Sequence, residues 1–278
     1  MEDTNAASKK YLVLDGCPVE DMPAFFDAHL SHDLADYPDG IVLPLDKPYR
    51  WTSADLLRKC KFTLQKHFGL RKLKVGHAGT LDPLATGLLL VCIGKATKLA
   101  ETLQASEKEY VATVEFGATT ASFDLEQPVE QFFPYDHITE EAVRAALPQF
   151  IGPQEQVPPV FSAKIVNGLR AYEYARSGEP LELKTNRIEI YDIALEGFTL
   201  HNTMEGDGYV VDEVVRHVHN YHTSSTSDGT RPAATLRIHC SRGTYIRSLA
   251  RDLGLALGSG AYLTALRRTA SGDFRLPK

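Results

Sequence analysis

Only four cysteines, Cys17, Cys60, Cys92 and Cys240, occur in 278 residues, and no two stand at CxxC spacing. Neither a zinc ribbon nor a disulfide framework is therefore indicated, and a reduced compartment is read. No apolar stretch approaches the roughly 20 residues a bilayer-spanning helix needs. The longest, Leu88–Ile93, has the length of a buried strand. Met1 is followed by Glu2, Asp3 and Thr4 rather than by a basic and apolar leader. A secretory signal is therefore not read, and a cytoplasmic location is expected. Internal repeats and long low-complexity tracts are missing too. With 43% hydrophobic and 24% charged residues the chain is not a disordered one.

What is present begins with charge. The net charge of −6 argues by itself against a nucleic-acid partner. The average hides a strong asymmetry. From Met1 to Asp46 there are ten acids against Lys9 and Lys10, a net of −8. From Leu56 to Leu81 there are seven bases and no acid, and from Arg237 to Lys278 eight bases against Asp252 and Asp273, a net of +6. Two such blocks would make a phosphate-binding face if the fold brought them together.

Residues 1–39, acidic and interrupted by Pro18, Pro23 and Pro38, read as an extension, with a short helix over Pro23–Leu34. The compact domain is expected from residue 40 to 278, opening with a strand at Gly40–Leu43. Thr52 and Ser53 cap an amphipathic helix over Asp55–Phe68 that ends near Gly69. Strands are expected at Tyr110–Phe116, Ile188–Phe198 and Ala234–Cys240. Helices are expected at Thr139–Phe150, Tyr172–Arg176 and Gly243–Leu257. Residues 202–232, polar and histidine-rich, read as an insertion between strands. Helices and strands alternate without a βαβ rhythm, so the fold class is mixed α+β with a largely antiparallel sheet flanked by helices.

The chemistry concentrates in Lys74–Gly87, where Gly76, Gly79 and Gly87 permit tight turns around Asp82-Pro83. A carboxylate on a rigid, glycine-flanked loop beside a buried strand is well placed for catalysis. Spacing alone does not distinguish this from an ordinary Asp-Pro turn. The segment carries neither a P-loop nor a dinucleotide fingerprint. His217, His219 and His222 lack a completing cysteine or carboxylate within their loop, so no metal site is assigned. Ser162 lacks a nucleophile elbow, so a hydrolase triad is set aside.

Gly76-His-Ala-Gly-Thr-Leu-Asp-Pro-Leu-Ala-Thr-Gly87 resembles the signature of the TruB-type tRNA pseudouridine synthases. Further blocks resemble that family in the same order: Leu45-Asp-Lys-Pro48 with Thr52-Ser53, Lys108-Glu-Tyr110, Pro158–Lys164 with Gly168 and Tyr172–Arg176, Cys240–Arg247, Gly260-Ala261 and Leu266-Arg-Arg268. The resemblance implies the pseudouridine synthase fold with an RNA-binding cleft, and isomerisation of uridine 55 in the T-arm of tRNA, with no cofactor and no metal. It implies Asp82 as the essential aspartate, Arg247 as its partner with Tyr245 beside it, and Tyr110 stacking on the target base. Leu266 would line the base pocket, His77 would engage RNA around the flipped nucleotide, and Lys47, Gly79, Thr80 and Lys108 would join the substrate-binding set.

The reaction breaks the N1–C1′ bond, turns the uracil and forms a C5–C1′ bond without gain or loss of atoms. It needs an ionised carboxylate rather than a redox group. Residue types fit attack at C6 of the base and at C1′ of the ribose alike.

Arg50 stands where the family has glycine, Ala121 where an acid is common, and Gln127 where glycine is common. The chain stops four residues after Phe274, which leads us to expect a stand-alone enzyme of bacterial type without a C-terminal PUA domain. We expect a monomer with tRNA as its partner, no membrane and no obligate protein partner. The rival readings are an RNA-binding or tRNA-folding module, and a synthase with another RNA target.

Overall fold

Ile41-Val-Leu-Pro-Leu45 and Leu88–Ile93 are apolar without interruption, the pattern of strands covered on both faces. The computed structural model describes residues 11–162, 165–166, 169–171, 174, 183–200 and 231–276. The expected helix at Tyr172–Arg176, most of the insertion at 202–232 and its three histidines lie outside the described residues. The chain divides into two compact units, one of residues 1–106 with 268–278, the other of residues 107–267.

In the first unit, β1 (Leu12–Val13) runs parallel to β2 (Ile41–Lys47), which pairs antiparallel with β4 (Thr86–Ile93). A short β3 (Val75–Ala78) also pairs with β4, His77 lying opposite Val91. All eight residues of β4 are buried because its alternating side chains enter two different clusters. Leu89, Val91 and Ile93 pack with Leu56, Cys60 and Leu64 of α2 (Ser53–His67). Leu88, Leu90 and Cys92 pack with Val42, Ala78, Ala96 and Phe274.

The sequence reading set residues 1–39 apart. Its described part instead completes this core: Leu14, Cys17 and Val19, Met22 and Phe26 of α1 (Met22–His29), and Leu30 all join the α2 cluster. Prolines and acids mask that contribution, because the apolar residues between them are too widely spaced to show a period. Pro23 sits in the first turn of α1, where its missing N–H costs nothing. A short helix α3 (Ala100–Ala105) closes this part of the unit.

In the second unit, β5 (Lys108–Phe116) begins two residues before the expected Tyr110. A two-stranded ribbon of β6 (Ala118–Thr120) and β7 (Val129–Phe132) follows. Next comes α4 (Glu140–Ala146), capped by the Thr139 hydroxyl accepting from the Ala142 N–H. The helix expected to reach Phe150 tightens into a 3₁₀ turn at Leu147, where Pro148 ends the α-helical hydrogen bonding. Then come β8 (Gly152–Gln156), β9 (Ile165–Val166), β10 (Leu169–Arg170), β11 (Asn186–Thr199) and β12 (Ala233–Cys240).

β12 pairs along its whole length with β5, from Ala233 opposite Glu115 to Cys240 opposite Lys108. β11 lies antiparallel between β12 and β8. Helix α5 (Ile246–Ala256) starts three residues later than expected, because Tyr245 is still extended. β13 (Ala261–Ser271), which no sequence pattern singled out, supplies residues to both units, and β14 (Phe274–Arg275) pairs with its end. The expected mixed, largely antiparallel α+β class holds.

Candidate active site

Asp82 lies on the loop between β3 and β4, and buried side chains grip that loop at three points. The first is Ser53, the opening residue of α2. Its Oγ donates to the Leu81 carbonyl at 3.1 Å and accepts from the Leu81 N–H at 2.9 Å. Beside Ser53, α2 opens with a capping box: Thr52 Oγ1 accepts from the Asp55 N–H at 3.0 Å and the Asp55 carboxylate accepts from the Thr52 N–H at 3.1 Å.

The second grip is Lys47, at the end of β2 and wholly buried. Its ammonium donates to the carbonyls of Pro48 (3.0 Å), Trp51 (2.5 Å) and Pro83 (3.2 Å). Burial pulls its pKa down from 10.5 to about 7, while the negative charge of Asp82 opposes that fall. The sequence reading placed Lys47 in contact with substrate. Here its ammonium is committed to three main-chain oxygens, and it positions Pro83 beside Asp82.

The third grip is Arg268, 1% exposed. Nε donates to Leu88 O at 2.7 Å, Nη2 to Gly79 O at 3.1 Å and Nη1 to Thr80 O at 3.5 Å. Gly87 lets this strand approach: at φ +97° a side chain there would meet the Arg268 carbonyl at 2.3 Å. The Asp82 carbonyl itself accepts from the Ala85 N–H at 3.1 Å, closing the turn. His77, half-buried on β3, has its pKa lowered by burial and by the Arg268 charge, which keeps it neutral near pH 7. Arg50 adopts φ +65°, the left-handed conformation that glycine takes without cost, and its guanidinium lies 5.6 Å from the Tyr49 ring centre. The turn is thus kept although the glycine is not.

The remaining expected site residues belong to the second unit. Tyr110 is buried on β5 opposite Ile238, and Lys108 is buried at the start of the same strand. Arg247, 3% exposed, is the second residue of α5. Its Nη1 donates to Ser122 O at 3.0 Å and its Nε lies 3.6 Å from Asp124 Oδ2. Asp124 is held by the Ser122 hydroxyl at 2.5 Å and the Glu126 N–H at 2.9 Å.

Tyr245 is fastened through its main chain, its N–H donating to Gln156 Oε1 at 2.8 Å and its carbonyl accepting from Gln156 Nε2 at 3.1 Å. Leu266 is half-buried on β13.

Sequence reasoning missed Ser53 as an anchor, Arg268 as a clamp and Asp124 as a partner of Arg247. The signals were slight. Arg268 stood in a recognised block without a role. Asp124 lies three residues beyond Ala121, where an acid was looked for.

The model of the TruB family pseudouridylate synthase N-terminal domain matches residues 65–207, and that of the tRNA pseudouridylate synthase B C-terminal domain matches residues 247–278. The chain belongs to the TruB family of pseudouridylate synthases. It is 46% identical over 241 residues to the tRNA pseudouridine synthase B of Phocaeicola vulgatus, covering 87% of this chain and 89% of that protein. The identity and both shares are the same for the enzyme of that name from Bacteroides thetaiotaomicron. Among solved structures it is similar to a chain of a Cbf5–Nop10–Gar1 complex, with 26% identity and a TM-score of 0.54. That match covers 94% of this chain and 54% of the other, so the protein spans about half the length of this structural neighbour.

Proposed function

We propose that the chain is a tRNA pseudouridine synthase that converts uridine 55 of the T-arm to pseudouridine, with Asp82 as the reacting carboxylate. The observation that carries this reading is the three-point grip on the Asp82 loop by Ser53, Lys47 and Arg268, in a chain of the TruB family. A loop held from β2, α2 and β13 presents its carboxylate in one orientation, which is the preorganisation a nucleophile needs.

In this reading the target uridine leaves its stack at a cost of a few kcal/mol, and stacking on Tyr110 returns about 1–3 kcal/mol. By resemblance to the family, Arg247 is the arginine partner of the reacting carboxylate, whose two oxygens its planar fork fits. The N1–C1′ bond breaks, the uracil turns, C5 bonds to C1′, and the proton lost from C5 is matched by one gained at N1. Atoms and electrons balance with no co-reactant. Leu266 and Tyr110 wall off water that would hydrolyse the separated base and sugar. Neutral His77 contacts the RNA by hydrogen bonding rather than as a cation. Gly79 and Thr80, held by Arg268, and Lys108 line the substrate path, and the basic blocks at 56–81 and 237–278 meet phosphate. The enzyme acts as a monomer on free tRNA.

The test is pseudouridine formation at position 55 of an unmodified tRNA transcript, without added metal or nucleotide. Wild type should form product, and Asp82→Asn should form none while still binding the transcript. Equal product from both would overturn the role of Asp82. Binding without product from either would favour a non-catalytic tRNA-folding role or another RNA target.

A further inference from the structure

Asp27 on α1, His32 in the turn after it and His67 at the last position of α2 bring three possible metal-binding atoms within 4.8 Å of one another. The His67 side chain is only 2% exposed and that of Asp27 63%. The His67 ring packs edge-on against Phe68 at 4.9 Å and lies 4.5 Å from the His32 ring, centre to centre.

The hydrogen bonds decide which ring nitrogens carry protons. His67 Nε2 lies 3.0 Å from the Ser31 carbonyl, which can only accept, so Nε2 bears the hydrogen. The other nitrogen, Nδ1, faces Asp27 Oδ1 at 2.8 Å, so this short contact is bridged either by a hydrogen on Nδ1 or by a metal ion in its place. His32 repeats the arrangement: Nδ1 lies 3.1 Å from the His67 carbonyl, which leaves Nε2 free to ligate. Each histidine thus gives one N–H to a main-chain carbonyl and keeps the other nitrogen, the arrangement that orients metal-bound imidazoles.

We propose that Asp27, His32 and His67 form a binding site for a divalent transition metal of the zinc type. Bonds of about 2.0–2.2 Å to N and O ligands set neighbouring ligand atoms about 3.0–3.5 Å apart. The His67–Asp27 pair is already close to that spacing, and His32, on an exposed turn, has only to close in. Two imidazoles and one carboxylate select zinc over magnesium, which prefers oxygen. Water takes the fourth position. The metal joins α1 to the end of α2 and has no part in the chemistry at Asp82.

Full-length protein treated with chelator is titrated with zinc chloride by calorimetry and melted with and without zinc. Wild type should bind one zinc per chain and melt higher with it, while magnesium leaves the melting temperature unchanged. Asp27→Asn and His32→Ala, both at exposed positions, should weaken zinc binding about tenfold or more and lose the rise in melting temperature. A variant with His217, His219 and His222 all changed to alanine should bind zinc as wild type does. The proposal is overturned if wild type binds no zinc, in which case a shared proton bridges Asp27 and His67. It is equally overturned if Asp27→Asn and His32→Ala bind like wild type, or if only the triple variant loses binding.

Discussion

A lysine without solvent exposure must satisfy its ammonium inside the protein, and Lys47 does so with three main-chain carbonyls. Methionine has nearly the same shape and no donor, so Lys47→Met strands those oxygens. The cost should be about 1–3 kcal/mol, seen as a melting temperature lower by roughly 2–10 °C. The pH dependence has a definite sign. Burial lowers the folded-state pKa from 10.5 to about 7, so between those values the unfolded chain holds a proton that the folded chain has lost. Stability contributed by Lys47 therefore rises with pH from about 7 towards 10.5 and is lost on descending to 7. Calorimetric melts at pH 7 and 9 should show this rise in wild type and not in Lys47→Met. A rise of equal size in both would exclude Lys47 as its source.

The residues of the Asp82 loop were legible because they stand together in sequence. Arg268 was not, because what makes a buried arginine tolerable is its bonds to Gly79, Thr80 and Leu88, far away in the chain.

At the scale of elements, α2 is the best case of agreement between pattern and structure. Its capping box and its apolar Leu56, Cys60 and Leu64 are local signals, and the helix ends at Phe68 before Gly69 turns left-handed at φ +64°. Thr52→Ala should cost about 1 kcal/mol through the lost cap and lower the midpoint of urea unfolding. It should leave the Ser53–Leu81 bonds, and hence turnover at saturating tRNA, largely unchanged. A large fall in turnover would show that the cap also sets the Asp82 loop. β13 is the opposite case. Arg267, Arg268 and Thr269 interrupt its apolar alternation, and a strand whose polar residues are satisfied by distant partners shows no period to read. The packing of the N-terminal segment went unread for a related reason: its apolar residues serve a core laid down by β2, β4 and α2.

For the molecule as a whole, the scarcity of cysteine acquires a meaning that composition does not supply. All four thiols are buried. Burial raises the pKa of Cys17 and Cys240 to about 12 and of Cys92 to about 11, and pushes Cys60 higher still. Thiolate is the reactive form, so the native protein should leave a thiol reagent such as Ellman's unreacted over minutes, and unfolding in urea should release four equivalents. One fast equivalent in the native state would mark a local opening around that cysteine.

The first unit is made from two separated stretches of chain, residues 1–106 and 268–278. A ribosome must therefore synthesise the whole of the second unit before Arg268 emerges to clasp Gly79 and Thr80. The loop that carries Asp82 is among the earliest parts to be translated, yet it acquires its last anchor only as synthesis nears its end. An interrupted translation product accordingly contains Asp82 but lacks the Arg268 side chain that holds its loop at Gly79 and Thr80.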